Sequence, residues 1–251
     1  MLMLRKGTEV TRDQLREIQT PEPTESWCPV SHFDVVNTLT DRASACGLKI
    51  RNERFAVVDG SLHSQFGEPT RIPGARLYGS MDFEPIPGIP FPEGCTPSAG
   101  LRNSHDKTFC LSILSGARIL VCENGALMGD HQVNRKHTSG IDLLESIDNA
   151  LNAFMASITG FNEMFQRLNA RRLTRTKAHS LVVEAARAGA FASDSILPIV
   201  AEFENPQHEA FKDRTAWSLY NAATEAMKKQ SPGRQVDGFK ALNQVLVAEL
   251  N

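Results

Sequence analysis

Between residues 143 and 168, apolar side chains return at every third or fourth position: Leu143, Leu144, Ile147, Leu151, Phe154, Ile158, Phe161, Phe165 and Leu168. That period sets them along one stripe of a single α-helix, which at 1.5 Å per residue is roughly 40 Å long. A stripe of this length needs a partner, either a sheet of the same chain or a second copy in a homo-oligomer. The sequence before it keeps a different rhythm. Residues 49–58, 75–83, 109–114 and 118–122 are short, partly alternating apolar runs punctuated by Gly and Pro, the pattern of an antiparallel sheet. The expected fold class is α+β: an antiparallel β-sheet in the N-terminal half packed with a long helix, followed by a helical C-terminal half.

Three regions follow from these patterns. Residues 1–29 read as a mobile N-terminal arm, with a short helix at 12–18 ahead of Thr20-Pro21-Glu22-Pro23-Thr24. Residues 30–139 read as a mainly β region that opens with a helix at 32–46 capped by Ser31, its face formed by Phe33, Val36, Leu39 and Ala43. Within this region residues 84–100 form a proline-rich loop. Pro85, Pro87, Pro90, Pro92 and Pro97 remove too many N–H donors for a central strand and fix too many φ angles for a helix. Ser115-Gly116 reads as a compact hairpin turn between the last two strands. Residues 140–251 read as a helical region packed on the sheet, with helices near 143–168, 174–188, 193–203, 211–229 and 236–250.

Composition narrows the function classes. Lys plus Arg total 27 against 29 for Asp plus Glu, a net charge of −2, so any contact with a phosphate polymer must be a local patch. No run of about 18 apolar residues is present, and Met1-Leu2-Met3-Leu4-Arg5-Lys6 lacks the apolar core of a signal peptide, so a cytoplasmic protein without membrane contact is expected. Five cysteines without a C-x-x-C pair point to reduced thiols, not a zinc ribbon or a disulfide framework. There is no Walker loop, H-E-x-x-H, G-x-S-x-G or G-x-G-x-x-G.

The densest polar run is Arg102-Asn103-Ser104-His105-Asp106-Lys107. Its residues either satisfy backbone groups at the start of a strand or present His105 and Asp106 as a proton-transfer pair, an ion ligand set or a phosphate contact. A hairpin at Ser115-Gly116 would bring Glu123 and Asn124 beside them, subject to register. Cys122 reads as a core thiol. Arg135, Lys136 and His137 precede the long helix, where Thr138 or Ser139 as N-cap would add helix-end N–H groups to an anion site. Arg171, Arg172 and Arg175 lie among five basic residues in eleven, a phosphate-tracking patch or simple compensation of a helix end. Trp217, Asn221, Thr224 and Glu225 share one helix face, read either as a hydrogen-bonded packing seam or as the far wall of a cleft facing residues 103–107.

Asn103-Ser104-His105-Asp106-Lys107, Val121-Cys122-Glu123-Asn124-Gly125 and His137-Thr138 resemble, in order and spacing, a family of phage- and plasmid-encoded proteins catalogued as domain of unknown function 932. So does the block from Arg214 to Glu225, which is similar to that family's Thr-x-Trp-x-x-x-Asn-Ala-x-Thr-Glu helix. The family pattern has Gly where this chain has Lys107 and Gln where it has Glu123. The resemblance implies a mobile-element protein acting in a bacterial host cell, associated with replication or recombination, and single-stranded DNA binding or annealing as its activity. By analogy of fold, a curved sheet with helices on one side is compatible with phage annealing proteins.

Two readings stand side by side. In the first, Arg102, Asn103, Lys107, Arg135, Lys136, His137, Arg171, Arg172 and Arg175 contact the phosphates of a single-stranded nucleic acid, with Asn124, Trp217, Asn221 and Glu225 as cleft wall. In the second, the protein is a metal-assisted hydrolase of a phosphate-bearing substrate, with His105, Asp106 and Glu123 as catalytic groups. His137 joins them as a ligand, and a divalent metal is the cofactor. A counter-defence protein that occludes a host partner is a third.

Overall fold

The computed structural model describes residues 7–63, 68–120, 125–138, 142–230 and 232–249. Strand β1 (Thr8–Val10) and helix α1 (Arg12–Glu17) come first, then α2 (His32–Ala45) and five long strands: β2 (Ile50–Leu62), β3 (Thr70–Phe83), β4 (Cys95–Ser104), β5 (Leu111–Ile119) and β6 (Gly125–Arg135). All six strands form one antiparallel sheet in chain order. Helices α3 (Leu143–Ala170), α4 (Arg175–Arg187), α5 (Ile196–Glu204), α6 (Ala216–Met227) and α7 (Pro232–Ala248) follow. This is the α+β arrangement that the change of period from two to 3.6 dictates.

Alternation gives the sheet two unlike faces. Paired residues Phe55, Gly79, Leu101 and Ile113 lie in one row of the helix-covered face, and Val57, Leu77, Asn103 and Leu111 in the next. Their apolar members join a core with Leu39 of α2 and Leu151, Phe154 and Ile158 of α3. The opposite face carries the row Ala56, Tyr78, Arg102, Ser112 and Asn134. The long apolar stripe thus finds its partner within the chain: α3 lies on β5 and β6 and against α2 and α6.

Residues 8–29, expected as an arm, are laid against this body. β1 pairs with β2, Leu15 of α1 is fully buried, and Trp27 is buried. Three local expectations are corrected. Ser115-Gly116 makes no hairpin: β5 runs through it, with a bulge between Leu114 and Gly116. Ser-Gly serves a bulge as readily as a turn. The proline-rich loop ends at 94, because Pro97 lies inside β4 beyond the last β3 pair at Ser98, where one side of the strand has no neighbour to miss its N–H. The N-cap of α3 is Asp142, which accepts from Glu145 N at 2.9 Å, not Thr138; Ser139 lies outside the described residues. Ser31 caps α2 as expected.

Candidate functional site

β4 delivers the polar run to one end of the sheet, and alternation divides it. Asn103 and His105 turn under the N-terminus of α2, whereas Arg102, Ser104 and Asp106 turn to the other face. His105 and Asp106 therefore do not form the hydrogen-bonded proton-transfer pair that their adjacency suggested. The chain then reverses at Lys107, whose φ of 63° costs a non-glycine residue about 1–2 kcal/mol.

On the helix side Asn103, fully buried, is the hub of a network with three histidines. Its Nδ2 donates to Val30 O at 2.7 Å and to His32 Nδ1 at 2.9 Å, and its Oδ1 accepts from His137 Nε2 at 2.7 Å. His32 Nε2 donates to Gly74 O at 3.0 Å, and His105 Nε2 to Val30 O at 2.9 Å. Carbonyl acceptors fix both rings as Nε2–H tautomers, which leaves Nδ1 of His32 as the acceptor that Asn103 requires. The His32 and His105 rings stack at 3.8 Å, 5° from parallel.

Burial keeps these imidazoles neutral. Desolvation first, then His105, holds His32 far below its ordinary value, at about 3, and the same two causes bring His137 to about 4. Desolvation also lowers His105, against the opposing pull of Val30 and Asp106. His32 spends both ring nitrogens on protein partners, and among the described residues no group of three His, Cys, Asp or Glu is disposed to hold a metal ion. Glu123, the third catalytic candidate, and Asn124 lie outside the described residues.

On the opposite face the same sheet end is basic and aromatic. The Arg102 guanidinium lies 5.2 Å from the centroid of Phe109, and its Nε donates to Ser112 Oγ at 3.1 Å. The Tyr78 ring is 5.5 Å from Phe109, tilted by 47°, and burial raises its phenol above the ordinary value. Arg76 donates to Asp106 at 2.6 Å, and the second oxygen of Asp106 accepts from Thr108 Oγ1 at 2.5 Å. Lys107 Nζ sits 4.7 Å over the ring of Trp27. Arg135 and Lys136, both exposed, end β6 at this edge; Arg135 pairs with Leu111 and so continues the helix-side row.

The remaining candidates lie elsewhere. Arg171 pairs with Glu249 at 2.9 Å, Arg172 with Asp213 at 3.7 Å, and Arg175 with Glu204, which also accepts from His179 at 2.8 Å. That cluster is matched by carboxylates of the helical region. Trp217 packs on Phe161, Phe165 and Tyr220, and Asn221 donates to Trp217 O at 2.8 Å, both residues buried. Glu225 pairs with Lys228 and lines a cavity of about 380 Å³ between α5 and α6. This helix does not face residues 103–107. Six residue steps along β3, about 20 Å of strand, separate Leu77, the partner of Asn103, from Phe83. Phe83 meets Phe154, and Trp217 lies two to three turns further along α3.

Five contributors were not singled out from sequence: Trp27, His32, Arg76, Tyr78 and Phe109. His32 stood next to the Ser31 cap, and Tyr78 on a predicted strand, so their positions were legible; their convergence needed the register. Over residues 95–247, from β4 to α7, the chain matches the family described as Domain of unknown function (DUF932). No curated protein and no solved structure matches the chain.

Proposed function

We propose, for a chain that belongs to the DUF932 family, that it binds single-stranded nucleic acid at the open face of this sheet end, in a phage- or plasmid-borne replication or recombination setting. The observation that carries the reading is the grouping of Arg102, Phe109 and Tyr78 on the face away from the helices, with Lys107 and Lys136 exposed at its edge. Unstacked bases find π-faces and a guanidinium plane there, and the phosphates between them find cations, the combination used by single-strand binding surfaces. A net charge of −2 leaves such a patch as the source of electrostatic attraction. The helical-region arginines are assigned no part, because each is paired with a carboxylate.

The reading is tested by fluorescence anisotropy of a labelled oligothymidine across a salt series. Binding weakens with salt, and Arg102→Ala lowers the log–log slope by about 0.7, one single-strand phosphate contact. Tyr78→Ala, which removes a stacking ring, weakens binding by about 1–3 kcal/mol, while Arg171→Ala leaves it unchanged. Affinity no greater than that of an albumin control at low salt refutes the reading.

A further inference from the structure

Residues 27–31 cross the end of the sheet as a strap with three fastenings. The Trp27 ring lies under Lys107, Cys28 N donates to His137 O at 3.0 Å, and Val30 O accepts from both Asn103 and His105. Two of the fastenings engage residues of the buried histidine network, and the third, Lys107, lies two residues beyond His105. We infer that this strap is a proton-operated latch: protonation of the histidine network frees residues 27–31 from the sheet end while the rest of the fold stays intact.

The geometry does not accommodate His32 and His137 both protonated. The NH2 group of Asn103 is committed to Val30 O and His32 Nδ1, and its oxygen to His137. A proton on His32 Nδ1 would set N–H against N–H. Turning the Asn103 amide over would offer its oxygen to His32 but direct NH2 at the Nε2–H of His137 and withdraw the donor from Val30. With His32 and His137 both protonated, no orientation of the amide serves both rings. His105 Nδ1 is buried without a partner, and a proton there puts a cation 3.8 Å over the His32 ring.

The charged and titratable groups of the surrounding elements are Asp106 and Lys107 beyond β4, Arg76 of β3, Asp59 of β2, Asp34 of α2, Cys28 of the strap, and Arg135 and Lys136 at the end of β6. Asp106 and Asp59 are already engaged by Arg76 and by Arg71 with Gly74 N. Asp106 favours a protonated His105 but shares its charge with Arg76. Release would also take Trp27 from beneath Lys107, but the latch does not depend on nucleic-acid binding.

Each freed imidazole regains an ordinary affinity for protons. With His32 and His137 titrating, the ratio of open to closed strap rises about a hundredfold per pH unit below pH 6. Hydrogen exchange read by mass spectrometry, corrected for intrinsic rates, tests this on a peptide covering residues 24–31 against one covering α6. Between pH 6 and pH 5 the strap peptide loses about a hundredfold in protection while the α6 peptide keeps its own. In His137→Gln, whose side-chain amide can still donate to Asn103 but does not titrate, the loss shrinks to about tenfold. Equal strap protection at the two pH values, loss only together with α6, or an undiminished response in His137→Gln would each overturn the latch.

Discussion

Replacing Asn103 by Ala interrogates the network at its hub. The substitution removes both donors of Nδ2 and the acceptor Oδ1. Val30 O keeps its bond from His105, so two groups are stranded in the interior: His32 Nδ1 and the Nε2–H of His137. A buried polar group left unsatisfied costs about 1–3 kcal/mol, giving about 4 kcal/mol for the pair. That is a large fraction of the 5–15 kcal/mol expected for the whole fold. In urea, with a slope of about 3 kcal/mol per molar, the midpoint should fall by a little over 1 M at pH 7.5, with the slope unchanged. Asn103→Asp, of the same shape, replaces a donor by an oxygen facing Val30 O and His32 Nδ1, and should be no more stable at that pH. If both variants unfold within about 1 kcal/mol of the parent, the hydrogen bonds assigned to Asn103 are not made.

Other expectations are equally direct. Because His32 and His137 have folded values near 3 and 4, below the unfolded value near 6.5, the unfolded chain takes up protons first. Stability is therefore full above about pH 7 and is lost as pH falls through 6.5. At pH 5 the loss amounts to about 2 kcal/mol per histidine while the strap remains closed, and urea titrations at pH 7.5, 6 and 5 would read it. The lowered carboxyl of Glu204, held down by hydrogen bonds from Arg175 and then His179, contributes only to a separate loss below about pH 4.5. Asp82, fully buried, takes Arg118 at 2.9 Å, Asn52 at 3.2 Å and the Ser98 hydroxyl. Asp82→Ala strands the guanidinium and should cost about 3–5 kcal/mol in the same assay. A Cβ at Gly60 would stand 2.1 Å from Asp106 Oδ2, so Gly60→Ala should displace Asp106 from Arg76 and lower the thermal midpoint by several degrees.

The change from strand to helix periodicity was enough to predict the fold class, and α3 lies where its apolar stripe put it, because a 28-residue amphipathic pattern has no competing solution. What the pattern could not supply was register. Ser115-Gly116 carries the composition of a hairpin turn but lies within a strand as a bulge, so β5 pairs with residues 125–135 and not with those near 118–122. The polar run 102–107 stood out in the sequence as the densest group of functional side chains. Its division between two faces follows from alternation along β4, but the partners each half would meet, His32 from a helix and Tyr78 from another strand, come from pairings some 25 to 70 residues away in sequence. Trp217 and Asn221 were separated from the run for the same reason. A helix face defines which residues share it, not which end of a sheet it meets.

A cross-linking footprint locates the nucleic-acid surface on the protein itself. Oligothymidine bound to the full chain at low salt and irradiated should link to peptides bearing Tyr78 and Phe109, with the yield lost in Arg102→Ala and unaffected in Arg171→Ala. Cross-links confined to the helical region around residues 167–177, with none on β3 or the β4–β5 turn, would contradict the assignment of this sheet end as the binding surface.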